Sequence, residues 1–182
     1  MAQVSAHDVA AELRRLLPGL PVKKLHKLLY YCQGHHLAHF DEPLFAEPVM
    51  AWDMGPVVAN LWKQEKEGVA PTASRALDLG QLNTVSYVVS RYGRLSGADL
   101  ERLTHAEEPW IAADTDRQPG GTAKITDEAM RDFFLRDEED QRWPSREAIA
   151  SWLADAASRR DHHLELHVDS LDEVRQRLSA LG

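Results

Sequence analysis

Hydrophobic side chains in the first forty residues recur at the spacing of two α-helices. One apolar pattern runs from Ala6 to Leu17 and stops at the segment PGLP, where two prolines and a glycine interrupt it. A second helix is expected from Pro21, which is tolerated in a first turn, to about Phe40. Its buried stripe has the i, i+3, i+4, i+7 spacing and consists of Leu25, Leu28, Leu29, Cys32 and His36.

The middle of the chain alternates between loops and further helices. Three prolines and a glycine in residues 41–56 predict a structured loop with a short extended piece at Val49–Trp52. Pro56 is predicted to open a helix that ends at Gly68. The next helix is expected over residues 79–92, and its apolar face is Leu82, Val85, Val89 and Tyr92.

Capping residues mark the helices that follow. Ser96 and Asp99 are placed as a capping box, and Thr126 precedes a helix that is expected over residues 127–140. Between these two helices, EEPWIAAD is read as a short helical turn and residues 115–121 as a loop.

The C-terminal residues predict a helix–strand–helix extension. Ser145 caps a helix, and Ser170 begins another. Residues 162–169 alternate as a strand would, with one apolar face formed by Leu164, Leu166 and Val168. The fold prediction is a mainly α, compact multi-helix domain over residues 1–142 with an extension over residues 143–182. This extension either docks on a partner or pads the core of the same domain.

The charge of the chain disfavours nucleic acid as its main ligand. The net charge is −8, and the basic residues are scattered. One basic cluster, Lys23, Lys24 and Lys27, is interpreted as a solvated helix face. The single cysteine favours a reducing compartment, and neither a signal peptide nor a membrane-spanning run is recognised. A soluble, cytoplasmic protein without a membrane partner is therefore expected.

The histidines and the cysteine near residue 35 are the first candidates for chemistry. His35 and His39 are four residues apart, which is the spacing of a two-histidine metal half-site, but the local sequence offers no further ligand. Cys32 and His36 lie on the apolar stripe, which favours a core role for both. Because phosphate-binding loops and nucleophile elbows are also missing, we predict no catalytic residue, no metal site and no cofactor.

Two stretches combine aromatic, acidic and glycine residues. They are AWDMGPVVANLW, with Trp52, Asp53 and Gly55, and LTHAEEPW, with His105, Glu107 and Trp110. In the structural interpretation the tryptophans anchor loops on the core, while Asp53, Glu107 and Glu108 cap helix starts. In the functional interpretation these residues bind a ligand. The adjacent carboxylates Glu107 and Glu108 show no reason for a raised pKa.

Taken together, these stretches resemble the Panacea domain, the SocA-like antitoxin domain of bacteria and phages. The matching pieces are KLHKLLYYCQGHHLA, PLFAEPVMAWDMGPVVANLW, and LSGADLERLTHAEEPWIAA followed by ITDEAMRDFF. They occur in the family's order over about residues 20–136, with one departure at His35, where the family often has an aromatic residue. The resemblance implies a mainly helical antitoxin of a two-gene toxin–antitoxin module, without established catalytic residues.

The resemblance also implies how such a protein acts. Its partner is a protein toxin encoded by the adjacent gene, neutralised by direct binding that blocks the toxin's active surface, although some family members deliver the toxin to a protease. The candidate partner-binding residues are Trp52, Asp53, Gly55, His105, Glu107 and Trp110, with Leu164, Leu166 and Val168 as a candidate docking strand. A metal-dependent hydrolase that uses His35 and His39, an autoregulatory DNA-binding protein and a homo-oligomer stay open.

Overall fold

The structure, a computed structural model, describes residues 4–67 and 75–142, with side chains as far as residue 137. Its helices alternate with a few short strands, which confirms the prediction of a mainly α fold. The elements are α1 (Ala6–Leu16), α2 (Val22–Phe40), β1 (Val49–Trp52), β2 (Gly55–Val58), α3 (Ala59–Lys66), α4 (Leu79–Tyr92), α5 (Gly97–Ala106), α6 (Glu108–Asp114), β3 (Ala123–Lys124) and α7 (Asp127–Arg142).

Helix α2 is the most enclosed of the helices that the structure describes. All of its residues from Leu25 to Leu37 are buried, because helices α1, α4 and α5 and strand β2 all contact it. The predicted apolar stripe is therefore correct but incomplete. Burial on every side also brings polar residues of α2 into the core, where Gln33 bonds the backbone of the following loop at Leu44 and Phe45.

Gly34 allows α2 and α7 to approach each other closely. A Cβ atom at this position would lie 2.1 Å from two ring carbons of Phe134, which is itself buried. The Phe134 ring also packs edge to face on Tyr30 and Tyr31 of α2. The absence of a side chain at Gly34 thus makes room for an aromatic cluster between the two helices.

Side-chain caps set several helix boundaries. The capping box predicted for α5 is confirmed, and similar boxes begin α1 at Ser5 and α4 at Asp78. Thr126 accepts a hydrogen bond from the backbone of Ala129 and so caps α7 as predicted. Helix α4 spans its predicted residues, but its buried face is rotated from the predicted one and consists of Gln81, Thr84, Val85, Val88 and Tyr92.

The three strands form a small antiparallel sheet in the order β2–β1–β3. The extended piece at Val49–Trp52 is confirmed as β1, which pairs with β2 through a tight turn at Asp53 and Met54. The prediction that Pro56 opens a helix is wrong. Pro56 lies inside β2 opposite Ala51, and α3 begins three residues later.

The predicted helices that begin at Ser145 and Ser170 and the predicted strand at 162–169 lie outside the described residues, as does the predicted helix end at Gly68. Contacts separate the chain into the units Met1–Asp137 and Glu138–Gly182, and the core described above belongs to the first. In the described ranges, no helix combines the length and the apolar character needed to cross a bilayer.

Candidate functional site

The β1–β2 hairpin forms one side of an open pocket with a volume of about 690 Å³. The rings of Trp52 on β1 and Trp62 on α3 meet edge to face with their centroids 5.3 Å apart. The Trp52 indole N–H donates to the Thr122 hydroxyl at 3.0 Å, which fixes the ring against the segment before β3. Met54 in the hairpin turn and Val22 at the start of α2 add exposed apolar surface. The volume is typical of a small-molecule or side-chain site.

His26 of α2 lines this pocket with an unsatisfied hydrogen-bond donor. The Val58 N–H donates to His26 Nδ1 at 3.2 Å, which places the ring hydrogen on Nε2. Among the described residues, Nε2 has no hydrogen-bond partner although it is buried. Burial lowers the pKa of His26 to about 3, so the ring is neutral at physiological pH. A buried donor without a partner costs about 1–3 kcal/mol.

Lys27 adds a cationic group beside His26. Its side chain is 3% exposed, and its ammonium donates to the Pro56 carbonyl oxygen at 3.1 Å. Burial lowers the pKa of Lys27 to about 8, because the charged form loses hydration. Lys23 pairs with Glu101, and Lys24 donates to a backbone carbonyl at the end of α4. The predicted solvated lysine face is therefore wrong for Lys27, which is buried, whereas Lys23 is exposed as predicted and Lys24 is half-buried.

Asp53 ties the hairpin turn to the loop before β3. Its carboxylate accepts hydrogen bonds from the Arg117 guanidinium at 2.6 Å and from the Gly120 N–H at 2.9 Å. The guanidinium holds the pKa of Asp53 below its usual value. The predicted role of Asp53 as a helix cap is wrong, because α3 begins six residues later at Ala59. Asp53 instead positions the loop that forms the pocket's far rim.

The three motif-bearing stretches of the sequence meet at Gly55. Its backbone has φ +93°, and a Cβ atom there would lie 2.9 Å from Lys27 Cε and 3.1 Å from the Thr104 hydroxyl oxygen. Lys27 comes from the first stretch, Gly55 from the second and Thr104 from the third. Both the positive φ and the close approach call for glycine at this position.

Glu107 lies in a different environment: the residue is half-buried, and its carboxyl group is enclosed against the tyrosines of α2. The Tyr31 hydroxyl donates to its Oε1 at 2.8 Å, and the Tyr31 ring stacks on Tyr92 at 3.9 Å. Burial raises the pKa of Glu107 to about 7, although the tyrosine hydroxyls act in the opposite direction. Two expectations are therefore wrong: this carboxyl has a raised pKa, and its side chain does not cap α6. Glu108 does lie in the first turn of α6, as expected.

His105 and Trp110 pack on each other across the junction of α5 and α6. Their ring centroids are 4.1 Å apart, and both side chains are half-buried. Among the described residues, His105 Nε2 and Trp110 Nε1 have no hydrogen-bond partners. Trp110 packs against the core, in agreement with the structural interpretation. The six candidate residues thus form two groups, because Trp52, Asp53 and Gly55 line the pocket while His105, Glu107 and Trp110 do not.

The histidines and the cysteine of α2 are distributed through its packing. His36 is buried and lies 2.9 Å from the Thr84 hydroxyl, so its predicted core role is confirmed. His35 is buried next to the Tyr92 hydroxyl, whereas His39 is exposed. Burial raises the pKa of the Cys32 thiol, which opposes reactivity. In residues 4–67 and 75–142, no three His, Cys, Asp or Glu side chains are grouped as metal ligands.

Sequence reasoning missed the pocket residues that come from distant parts of the chain. Thr122 contacts Trp52 from the segment before β3, and nothing in its local sequence indicates this. Trp62 lies in a stretch that the sequence singled out, but its ring contact with Trp52 was not predicted. A signal existed for α2, since Lys23, His26 and Lys27 have the i, i+3, i+4 spacing of one helix face. The neighbouring hairpin turns that face into a pocket wall.

Comparisons with known proteins find one similarity, and it covers part of this chain. No curated protein and no solved structure matches the chain significantly. Residues 25–111, just under half of the chain, match the family model described as antitoxin SocA-like, Panacea domain. The matched segment runs from α2 to α6 and includes all six candidate motif residues. The resemblance seen in the sequence is thereby confirmed, and residues 25–111 of this chain are similar to the SocA-like Panacea domain.

Proposed function

We propose that this protein is an antitoxin that neutralises a toxin encoded by the adjacent gene. It binds the toxin directly and blocks the toxin's active surface. The match of residues 25–111 to the SocA-like Panacea domain carries the proposal. Inhibition of this kind depends on a stable interface and a few anchoring side chains.

The described surface supports this proposal in two places. The first is the pocket, where Trp52 and Trp62 stand beside the exposed side chain of Met54. The second is the half-buried pair of His105 and Trp110, in which His105 Nε2 and Trp110 Nε1 have no partner among the described residues. Tryptophan is enriched among the residues that dominate binding energy at interfaces. The net charge of −8 favours a toxin with a basic surface.

Co-expression with the adjacent reading frame tests the proposal. We expect the neighbour to stop growth when it is induced alone and to be tolerated when this chain is induced with it. The two proteins should then co-purify from the rescued cells as a stoichiometric complex. A neighbour that is harmless alone, or rescue without any complex, would contradict direct neutralisation.

The lifetime of the toxin separates blocking from delivery to a protease. If the chain blocks the toxin surface, the toxin persists in rescued cells, and rescue survives the loss of cellular proteases. If the chain acts as an adaptor, the toxin level falls only while the chain is present, and rescue fails in a protease-deficient strain. We propose the first outcome, with neither catalysis nor a metal, so treatment with a chelator should leave neutralisation intact.

The extension over residues 143–182 offers a further contact. We propose that its predicted strand docks on the toxin through Leu164, Leu166 and Val168. Leu166→Asp should weaken the complex, whereas His167→Asp introduces the same charge on the opposite face and should not. If Leu166→Asp instead lowers the melting temperature and leaves toxin affinity unchanged, the strand serves the protein's own core.

A further inference from the structure

We infer that the pocket between α2 and the β1–β2 hairpin is a binding site for an apolar or aromatic group that carries a carboxylate. The pocket has a polar wall, which selects the carboxylate, and an aromatic wall, which selects the apolar part of the same ligand. Both walls consist of side chains that line the same pocket of about 690 Å³.

The polar wall presents hydrogen-bond donors without matching acceptors. His26 is 2% exposed, its Nδ1 is used by the Val58 N–H, and its Nε2 donor has no partner among the described residues. Lys27 has three N–H donors and directs one to the Pro56 carbonyl. Two separate donors, one neutral and one cationic, match the two oxygens of a carboxylate.

The charges around the pocket agree with an anionic ligand. Asp53 is the one acidic residue among the described side chains that line the pocket, and Arg117 and the Gly120 N–H already engage its carboxylate. Lys23 and Lys27 are both in the lining, in a chain whose net charge is −8. Because Lys23 already pairs with Glu101, Lys27 is the cation that a ligand would meet, and a carboxylate gains there both attraction and hydrogen bonds.

The opposite wall favours an apolar body on the ligand. Trp52 and Trp62 meet edge to face and are half-buried, so part of each side chain stays exposed, and the Lys66 ammonium lies 5.0 Å from the Trp62 ring centroid. Val22 and Met54 at the rim are 41% and 56% exposed, so both present apolar surface to water. A ligand that covered these side chains would remove apolar surface from water while its carboxylate reached His26 and Lys27.

Two sources can supply this chemistry. One is a toxin segment in which an aromatic or aliphatic side chain lies next to a carboxylate, and this assignment rests on the proposed antitoxin function. The other is a free small carboxylate that occupies the pocket independently of any toxin. The chemistry of the pocket is the same for both.

A matched pair of probes tests the pocket without the toxin. N-acetyl-L-phenylalanine carries the carboxylate, and N-acetyl-L-phenylalanine amide has the same body without the charge. In ligand-observed NMR titrations of the full chain, we expect millimolar affinity for the acid, as for other fragments, and at least about tenfold weaker binding of the amide. Equal affinities, or no saturable binding of either probe, would overturn the inference.

Two variants locate the binding. Lys27→Met keeps most of the side-chain volume and should abolish the preference for the acid; circular dichroism reports whether this variant folds. Met54→Glu places a negative charge, like that of the acid probe, at the exposed rim. It should weaken binding of the acid probe by about threefold, as expected for two charges several ångströms apart in water. Leu79→Glu is the control, because Leu79 is 80% exposed and is not part of the lining. Equal effects of the two glutamate variants would overturn the assignment to this pocket.

The same glutamate variants identify the source of the carboxylate. If Met54→Glu weakens both the acid probe and the toxin complex, the group belongs to the toxin. If it weakens only the acid probe, a free small molecule is the ligand. If the acid probe binds but no toxin complex forms with the unsubstituted chain, the antitoxin proposal fails while the pocket assignment stands.

Discussion

The buried carboxyl of Glu107 should make the stability of this protein fall as the pH rises through the neutral range. The Tyr31 hydroxyl donates to it, and burial raises its pKa from 4.5 to about 7. Since the folded state binds this proton more tightly than the unfolded state, the free energy of unfolding decreases above about pH 4.5 and levels off above about pH 7. The full loss is about 3 kcal/mol, at 1.36 kcal/mol per pKa unit.

Glu107→Gln removes this titration while it keeps an acceptor for the Tyr31 hydroxyl. An amide in place of the carboxyl changes stability by an amount that does not depend on pH, so the test lies in the difference between wild type and variant at several pH values. The quantity to follow is the free energy of unfolding of Glu107→Gln minus that of wild type. This difference should be about 2–3 kcal/mol larger at pH 8 than at pH 5.

Urea unfolding, followed by circular dichroism at pH 5, 6, 7 and 8, measures this difference. Glu108→Gln is the control, because it removes the same charge at an exposed neighbour that pairs with Arg136. Its difference from wild type should stay within about 0.5 kcal/mol at every pH, as for exposed ion pairs. A difference between wild type and Glu107→Gln that does not change from pH 5 to pH 8 would refute the reasoning.

Three further predictions concern packing. Gly34→Ala should destabilise the protein by about 1–3 kcal/mol, because its Cβ would overlap the Phe134 ring; an unchanged urea midpoint would contradict this. Gly55→Ala should cost more than Gly19→Ala in thermal melts, since both have positive φ but only Gly55 has close neighbours. Cys32 should react with Ellman's reagent only after unfolding, because it is buried and its thiol pKa is raised; fast reaction of the native chain would show otherwise.

The elements that the sequence predicted well are those whose signals are local. Helix α4 has its predicted bounds, and the capping box of Ser96 and Asp99 begins α5, because caps and apolar spacing act within a few residues. Pro56 misled the prediction for the same reason. A proline fits both a first helical turn and a strand, and the pairing of β1 with β2 decided between them.

The candidate site shows the same division. The sequence singled out Trp52, Asp53 and Gly55, and the structure places all three in the lining of one pocket. The lysines of α2 were assigned to solvent, yet Lys27 is buried, because a helix enclosed on several sides has no solvent face at that position. Local sequence carries no information about what covers a helix face.

The sequence by itself determined the helical class, most helix boundaries and the resemblance to a family over residues 25–111, since these depend on periodicity, capping and ordered motifs within single segments. Only the tertiary structure decided the ionisation of Glu107, the unpaired donor of His26 and the shape of the pocket. The physical reason is that desolvation and hydrogen-bond satisfaction depend on groups far away in the chain, which folding brings to within a few ångströms.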